Sequence, residues 1–155
     1  MEITKTKKSY LIDGPITPEK LATLVANHQA KTDCGAHSLF LGQVRADEIN
    51  GKRVSAIEYS CYHEMADKEI ATIREEAFAA FPLRCLHVYH SIGKVAVGEI
   101  SLMVMVSSAH REPVFPSLQE MVEKIKQRVP IWKKEIFEDG SSGWKEEPGT
   151  VNNER

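Results

Sequence analysis

The chain has 155 residues, 42% hydrophobic and 27% charged, which suits one ordinary globular domain with room for a real core. Its 20 basic and 22 acidic groups leave a formal net charge of -2, so no basic excess exists to drive nucleic-acid binding and any positive site must be local. The apolar runs are too short to span a bilayer and Met1-Glu-Ile-Thr-Lys5 lacks a signal-peptide core, so a cytoplasmic protein with no membrane and no nucleic-acid partner is expected.

Residues 8–12 read as a short strand. Thr17-Pro18-Glu19 then supplies a cap, a first-position proline and an early acid, starting a helix that runs to about His28. Gly35 to Arg45 alternates and is rich in Leu, Phe and Val, reading as a strand that ends in a charged loop. Within it Phe40 has small period-two neighbours, Ser38 and Gly42, and core packing accounts for its ring. Arg45 opens the loop, where a cation either lines a site built by neighbouring strand ends or is simply solvated. Asn50-Gly51 gives a turn, and Arg53 to Tyr59 alternates again, as an antiparallel partner for the preceding strand. A helix follows from about Tyr62 to Phe81, with Ala66, Ile70, Ile73, Ala77 and Phe81 along one side and Pro82 closing it.

Leu83 to Ile92 and Glu99 to Ser108 form two further strands, joined by a loop around Gly93 and Gly98. The second is almost continuously apolar and suits a strand buried on both faces. It ends in Ala109-His110-Arg111-Glu112-Pro113, with Pro113 in an early position of the next helix. Helix-start amides and the Arg111 fork would favour an anion there. The alternative is that Arg111 pairs with a local acid and His110 satisfies the turn.

In that last helix Phe115, Leu118, Val122, Ile125 and Val129 recur at three-and-four spacing, one apolar stripe. Lys126 falls about 20° beyond Phe115, on the stripe's edge, whereas Lys124 points away and reads as solvated. An ammonium at an apolar margin is partly desolvated, which makes its free amine more accessible near neutral pH. Pro130 stops the helix, and burial of Trp132 would hold Lys133 in place. Two lysines a fixed distance apart across a helix end read as chemistry on an anionic or carbonyl substrate; lysines lying along apolar neighbours are also ordinary surface residues.

Cys34, Cys61 and Cys85 are odd in number with no close pair, which argues against a disulfide framework or a cysteine zinc site. His37, His63, His87 and His90 lack the spacing of a zinc helix, since His87 and His90 face opposite sides of a strand. No metal is assigned. Phosphate-binding glycine loops, dinucleotide fingerprints and nucleophile elbows are absent from the sequence. Mixed helices and hairpin-like strands make an α+β sandwich the expected class, with residues 1–145 as one domain and the polar residues 146–155 as a disordered tail.

Five blocks of the chain resemble the large, catalytic subunits of molybdopterin synthase: Gly35-Ala36 with Phe40-Leu-Gly-Gln-Val-Arg45; Tyr59 through Met65-Ala66; Gly98-Glu99; Ser107-Ser-Ala-His-Arg111; and Lys126-Gln-Arg-Val-Pro-Ile-Trp-Lys-Lys-Glu135. They follow the family's order over roughly residues 10–145. The resemblance implies a single compact domain with an α/β hammerhead-type subdomain and additional antiparallel α+β elements. It implies a sulfurtransferase that converts cyclic pyranopterin monophosphate to molybdopterin, with no cofactor of its own. The two sulfurs arrive as thiocarboxylate on the C-terminal Gly-Gly of a small β-grasp partner, and the large subunits form the central homodimer of a heterotetramer. By the same resemblance Lys126 and Lys133 are catalytic, while Arg45, His110, Arg111 and the aromatic Phe40 bind substrate. Two positions depart from the family pattern. Ser91 follows His90 where an arginine is common, and Lys145 rather than arginine follows Trp144. A noncatalytic pterin or phosphate-binding module, or a scaffold for a β-grasp protein, is the alternative.

Overall fold

The computed structural model describes residues 9–145, so the polar segment 146–155 lies outside the described residues. In chain order the elements are β1 (Leu11–Asp13), α1 (Pro18–His28), β2 (Ala36–Gln43), β3 (Glu48–Ile49), β4 (Lys52–Cys61), α2 (His63–Ala80), β5 (Cys85–Ala96), β6 (Ile100–Ser108), α3 (Val114–Arg128), β7 (Ile131–Phe137) and β8 (Ser142–Trp144). The α+β class expected from the sequence is the class observed. No helix among the described residues is long and apolar enough to cross a membrane.

Local chemistry sets the helix ends. Thr17 Oγ1 accepts from the Lys20 amide at 3.3 Å and Pro18 occupies the first turn, where a missing N–H costs nothing. In α2 the line Ala66, Ile70, Ile73 and Ala77 is buried, as its spacing predicts. In α3 the buried line is Val114, Ser117, Met121 and Ile125, rotated one residue from the expected stripe. Phe115 is 64% exposed. The rotation is possible because Ser117 can be buried at no polar cost, its hydroxyl donating to the Pro113 carbonyl. Pro113 itself stands just before the helix as its cap residue.

The strands lie in the order β2-β6-β5-β4-β7-β8, with β1 parallel to β5 and β3 folded onto β4. Two expectations fail here. The strand at 36–43 pairs with β6 along its whole length, whereas Asn50-Gly51 only turns the two-residue β3 onto β4. Residues 44–47 carry the chain out of the first pairing, so the eight-residue register with the buried β6 wins over a local hairpin. Gly93 lies inside β5 rather than in a loop, and the turn falls at Gly98. β5 pairs with β6 through Cys85–His90 and with β4 through Gly93–Ala96, so it crosses between two halves of the sheet. Gly93, at φ 88°, supplies the backbone that this crossing requires.

Alternation divides the β2–β6–β5 layer into two faces. Phe40, Leu86, Val88, Leu102, Val104 and Val106 pack with α2 and α3 in the main core. Tyr89, Met103 and Met105 face the other way, with Leu24 of α1 and Ile16. The C-terminal half of α3 is tied to α2 by ion pairs from Arg128 to Glu69 (2.7 Å) and Glu76 (2.6 Å). Lys124 belongs to the same network, 3.8 Å from Glu76 and 3.3 Å from Glu120, and is not merely solvated. The adjacency of α2 to α3 brings those carboxylates within reach, which the helical wheel of α3 alone does not show.

Gly35 enters β2 so close to the turn that follows β6 that a Cβ there would run into the Ala109 carbonyl. Gly35→Ala should therefore cost about 1–3 kcal/mol by displacing backbone, read as a lower urea midpoint at unchanged slope.

Candidate active site

A cleft of about 1070 Å³ opens where the two halves of the sheet meet the C-terminal end of α3. Phe40 and Arg45 reach it from the end of β2, Lys126 from the last turn of α3, and Lys133 from β7. What fixes Lys133 is strand pairing, with Tyr59 of β4 as its antiparallel partner and the Lys145 amide donating to its carbonyl at 2.8 Å. Trp132 contributes less than expected. It is half-buried and meets the exposed Tyr62 edge-on, ring centres 5.7 Å apart.

The cleft concentrates positive charge in partly dehydrated surroundings. Burial pushes the Lys133 amine down to about 8, helped by the charges of Lys126 and Lys145. Lys126 is lowered as well, first by desolvation and then by Lys145 and Arg45. Of the pair, Lys133 is the more strongly lowered, by burial first and by the neighbouring charge of Lys126 second. Arg45 is more than half exposed and leans on Asp47 at 3.3 Å. Glu135, almost fully buried, sits 4.0 Å from Lys145. Among the described residues lining the cleft, four cations therefore face three carboxylates, Asp47, Glu48 and Glu135. The lysine end is left ready for an anion.

His90 forms part of the floor. Its Nδ1 lies 2.8 Å from the Ser91 carbonyl, which can only accept, so Nδ1 carries the hydrogen of the neutral ring. Burial lowers its pKa to about 4; the Ser91 hydrogen bond opposes that shift, while Lys133 and Lys126 add to it. Tyr59 packs edge-on against it and donates to Ser101 Oγ at 3.1 Å, and burial raises the phenol.

Four of the six residues singled out in the sequence converge here: Phe40, Arg45, Lys126 and Lys133. His110 and Arg111 do not. They are exposed at the opposite end of α3, whose rise from Val114 to Lys126 is about 18 Å. Sequence reasoning also passed over Glu135 and His90, and gave Lys145 only a substitute's role. Glu135 lies two residues from Lys133 on one strand, so period-two spacing would have placed them on one face.

The family model for the MoaE protein matches residues 11–128. The chain belongs to the MoaE family. It is 44% identical over 112 residues to a molybdopterin synthase catalytic subunit of Bos taurus, covering 72% of this chain and 59% of the bovine one. A catalytic subunit of the same name from Thermoplasma volcanium is 41% identical over 118 residues, covering 76% of this chain and 85% of that one. This chain spans 36% of the length of the Drosophila willistoni relative, so some family members are far longer. The crystal structure of molybdopterin synthase from Staphylococcus aureus superposes with a TM-score of 0.77 at 33% identity, covering 91% of this chain and 98% of that chain.

The neutral state of His90 has a stability consequence. Between its unfolded value of 6.5 and about 4 the unfolded chain binds the extra proton, so stability falls as pH drops through that window and is level outside it. The loss from this residue should total about 3 kcal/mol. His37, lowered mainly by burial, adds to it in the same direction. His90→Gln should flatten part of the slope when urea midpoints at pH 7 and pH 4.5 are compared.

Proposed function

We propose that this MoaE-family chain is the catalytic subunit of a molybdopterin synthase, a sulfurtransferase that converts cyclic pyranopterin monophosphate to molybdopterin. The observation that carries this reading is the convergence of Lys126 and Lys133, both with lowered amines, in a cationic cleft, in a family whose matched relatives bear that name. The reaction brings together two negative groups, the ring phosphate and a thiocarboxylate. Two unit charges at 4 Å repel by about 4 kcal/mol at an effective dielectric constant of 20. Arg45 and Lys126 would hold the phosphate and offset that repulsion, while Lys133, poised at about 8, would take up and return a proton near neutral pH. Phe40 would support the pterin ring.

The sulfur donor is the C-terminal Gly-Gly thiocarboxylate of a small β-grasp subunit. A shallow apolar groove beside the cleft, formed by Cys61, Tyr62 and Trp132, shares Trp144 and Lys145 with it, which suits an extended tail entering from outside. Exposed Tyr62, Met65 and Trp144 supply apolar surface for the body of that subunit. Leu39 and Leu41, each 38% exposed on the edge strand β2, suit a second copy of this chain, giving a homodimer within a heterotetramer. His110 and Arg111 then bind substrate in a cleft of the dimer mate, since they cannot reach their own. The three free thiols fit a reducing cytoplasm, and none is needed as a nucleophile because the partner brings the sulfur.

Reconstitution with the thiocarboxylated partner and the cyclic pterin should yield the dithiolene product. Lys126→Ala should lower turnover by roughly 10²-fold or more. Pterin binding without partner-dependent conversion would instead mark a noncatalytic binding module, and partner binding alone a scaffold.

Charge also fixes a pH dependence. Lys133 loses its proton as pH rises through about 8, so KM for the anionic substrate should rise above that pH. Lys126→Met should move this limb to higher pH, because the neighbouring charge that lowers Lys133 is gone.

A further inference from the structure

The face of the sheet that carries α1 gathers soft ligands well away from the cleft. His37 pairs with Ser107 and Ser107 with Cys85, so these three stand in one row across β2, β6 and β5. His87, two residues beyond Cys85, projects from the same face of β5. Above them the last turn of α1 lowers His28, 97% removed from solvent, onto the row.

We propose that His28, Cys85 and His87 bind a zinc-class transition-metal ion. One ligand atom from each lies within 4.8 Å of the others, and His28 Nε2 is 3.2 Å from Cys85 Sγ. Around a tetrahedral zinc with bonds of about 2.0–2.3 Å, ligand atoms stand roughly 3.3–3.8 Å apart, so small side-chain rotations close the shell. The tautomer is already correct. His28 Nδ1 lies 2.7 Å from the Leu24 carbonyl and must donate to it, leaving the Nε2 lone pair directed at the thiol. That back-side hydrogen bond to a carbonyl is what orients histidines at metal centres. Water would complete the tetrahedral shell.

Imidazole nitrogen with thiolate sulfur selects zinc over magnesium or calcium. Binding forms the metal–sulfur bond as the Cys85 proton leaves to solvent, and no oxidation state changes. Without an ion the same atoms make a buried S–H···N hydrogen bond, the competing account of this cluster. The ion would have mechanical work, since α1 buries only Leu24 and His28 and would be fastened to β5. The site is independent of the synthase reading. Cys85 and His87 face α1, whereas His90 faces the cleft.

The test uses the untagged full chain, stripped of metal and titrated with cobalt(II) as the probe. A thiolate-to-cobalt charge-transfer band should saturate at one ion per chain and be displaced by zinc, which should also raise the melting temperature. Cys85→Ser should abolish the band, and His28→Gln or His87→Gln should weaken binding roughly tenfold or more. No band, or one that survives Cys85→Ser, overturns the proposal. Where those variants fail to fold, X-ray absorption of the zinc-loaded wild-type chain decides. Sulfur together with imidazole supports the site, and a shell of oxygen and nitrogen alone overturns it.

Discussion

Like charges held together in a partly dehydrated cleft are the constraint around which this molecule is arranged. Lys126, still exposed at the cleft, and half-buried Lys133 are held beside one another by separate elements, a helix end and a paired strand. Each would escape if its backbone could move, since the dehydration that lowers both amines is a cost borne by the fold. The ion network from Arg128 and Lys124 to Glu69, Glu76 and Glu120 resists that escape on the helix side. Exposed pairs of this kind contribute little singly, but a guanidinium shared by two carboxylates restrains direction as well as distance. On the strand side seven residue pairs between β4 and β7 do the same work.

How far the sequence discloses this depends on the range of the interactions involved. Helix α1 is legible to the residue because Thr17, Pro18 and the following turn act locally. The buried line of α2 is legible because four apolar residues at regular spacing allow one solution. The α3 stripe was misplaced by one residue since a serine that satisfies itself within the helix counts as core, which no hydrophobic wheel records. Strand partners were less legible still. Asn50-Gly51 announces a hairpin but not how short its first strand is, and Gly93 reads as a break although the strand continues through it.

The site shows the same division. Lys126 and Lys133 stand out because a proline and a tryptophan flank them, but the reason they matter lies in Lys145 and Arg45, which approach from 12 residues after Lys133 and from more than 80 residues before Lys126. Cys34 and Cys85 form no pair along the chain and become neighbours only when the loop after α1 folds over β5. His87 was set aside by comparing it with His90, on the opposite face; its partner is Cys85, at the spacing that keeps two strand residues on one side.

That alternation along β5 has a larger consequence. A single strand carries the floor of the cationic cleft at His90 and, three and five residues further back on its other face, His87 and Cys85. The cleft and the His28–Cys85–His87 cluster are thus kept apart by the thickness of one sheet. An ion on the α1 side would not touch the reacting groups, yet it would bear on the same strand that positions them. Fastening α1 to β5 would restrain the segment that pairs with β6 through Cys85–His90, immediately before the crossing at Gly93. Loss of the ion should therefore loosen α1 first, where Leu24 and half-buried Leu21 are the remaining apolar anchors, and reach the cleft only through the backbone of β5.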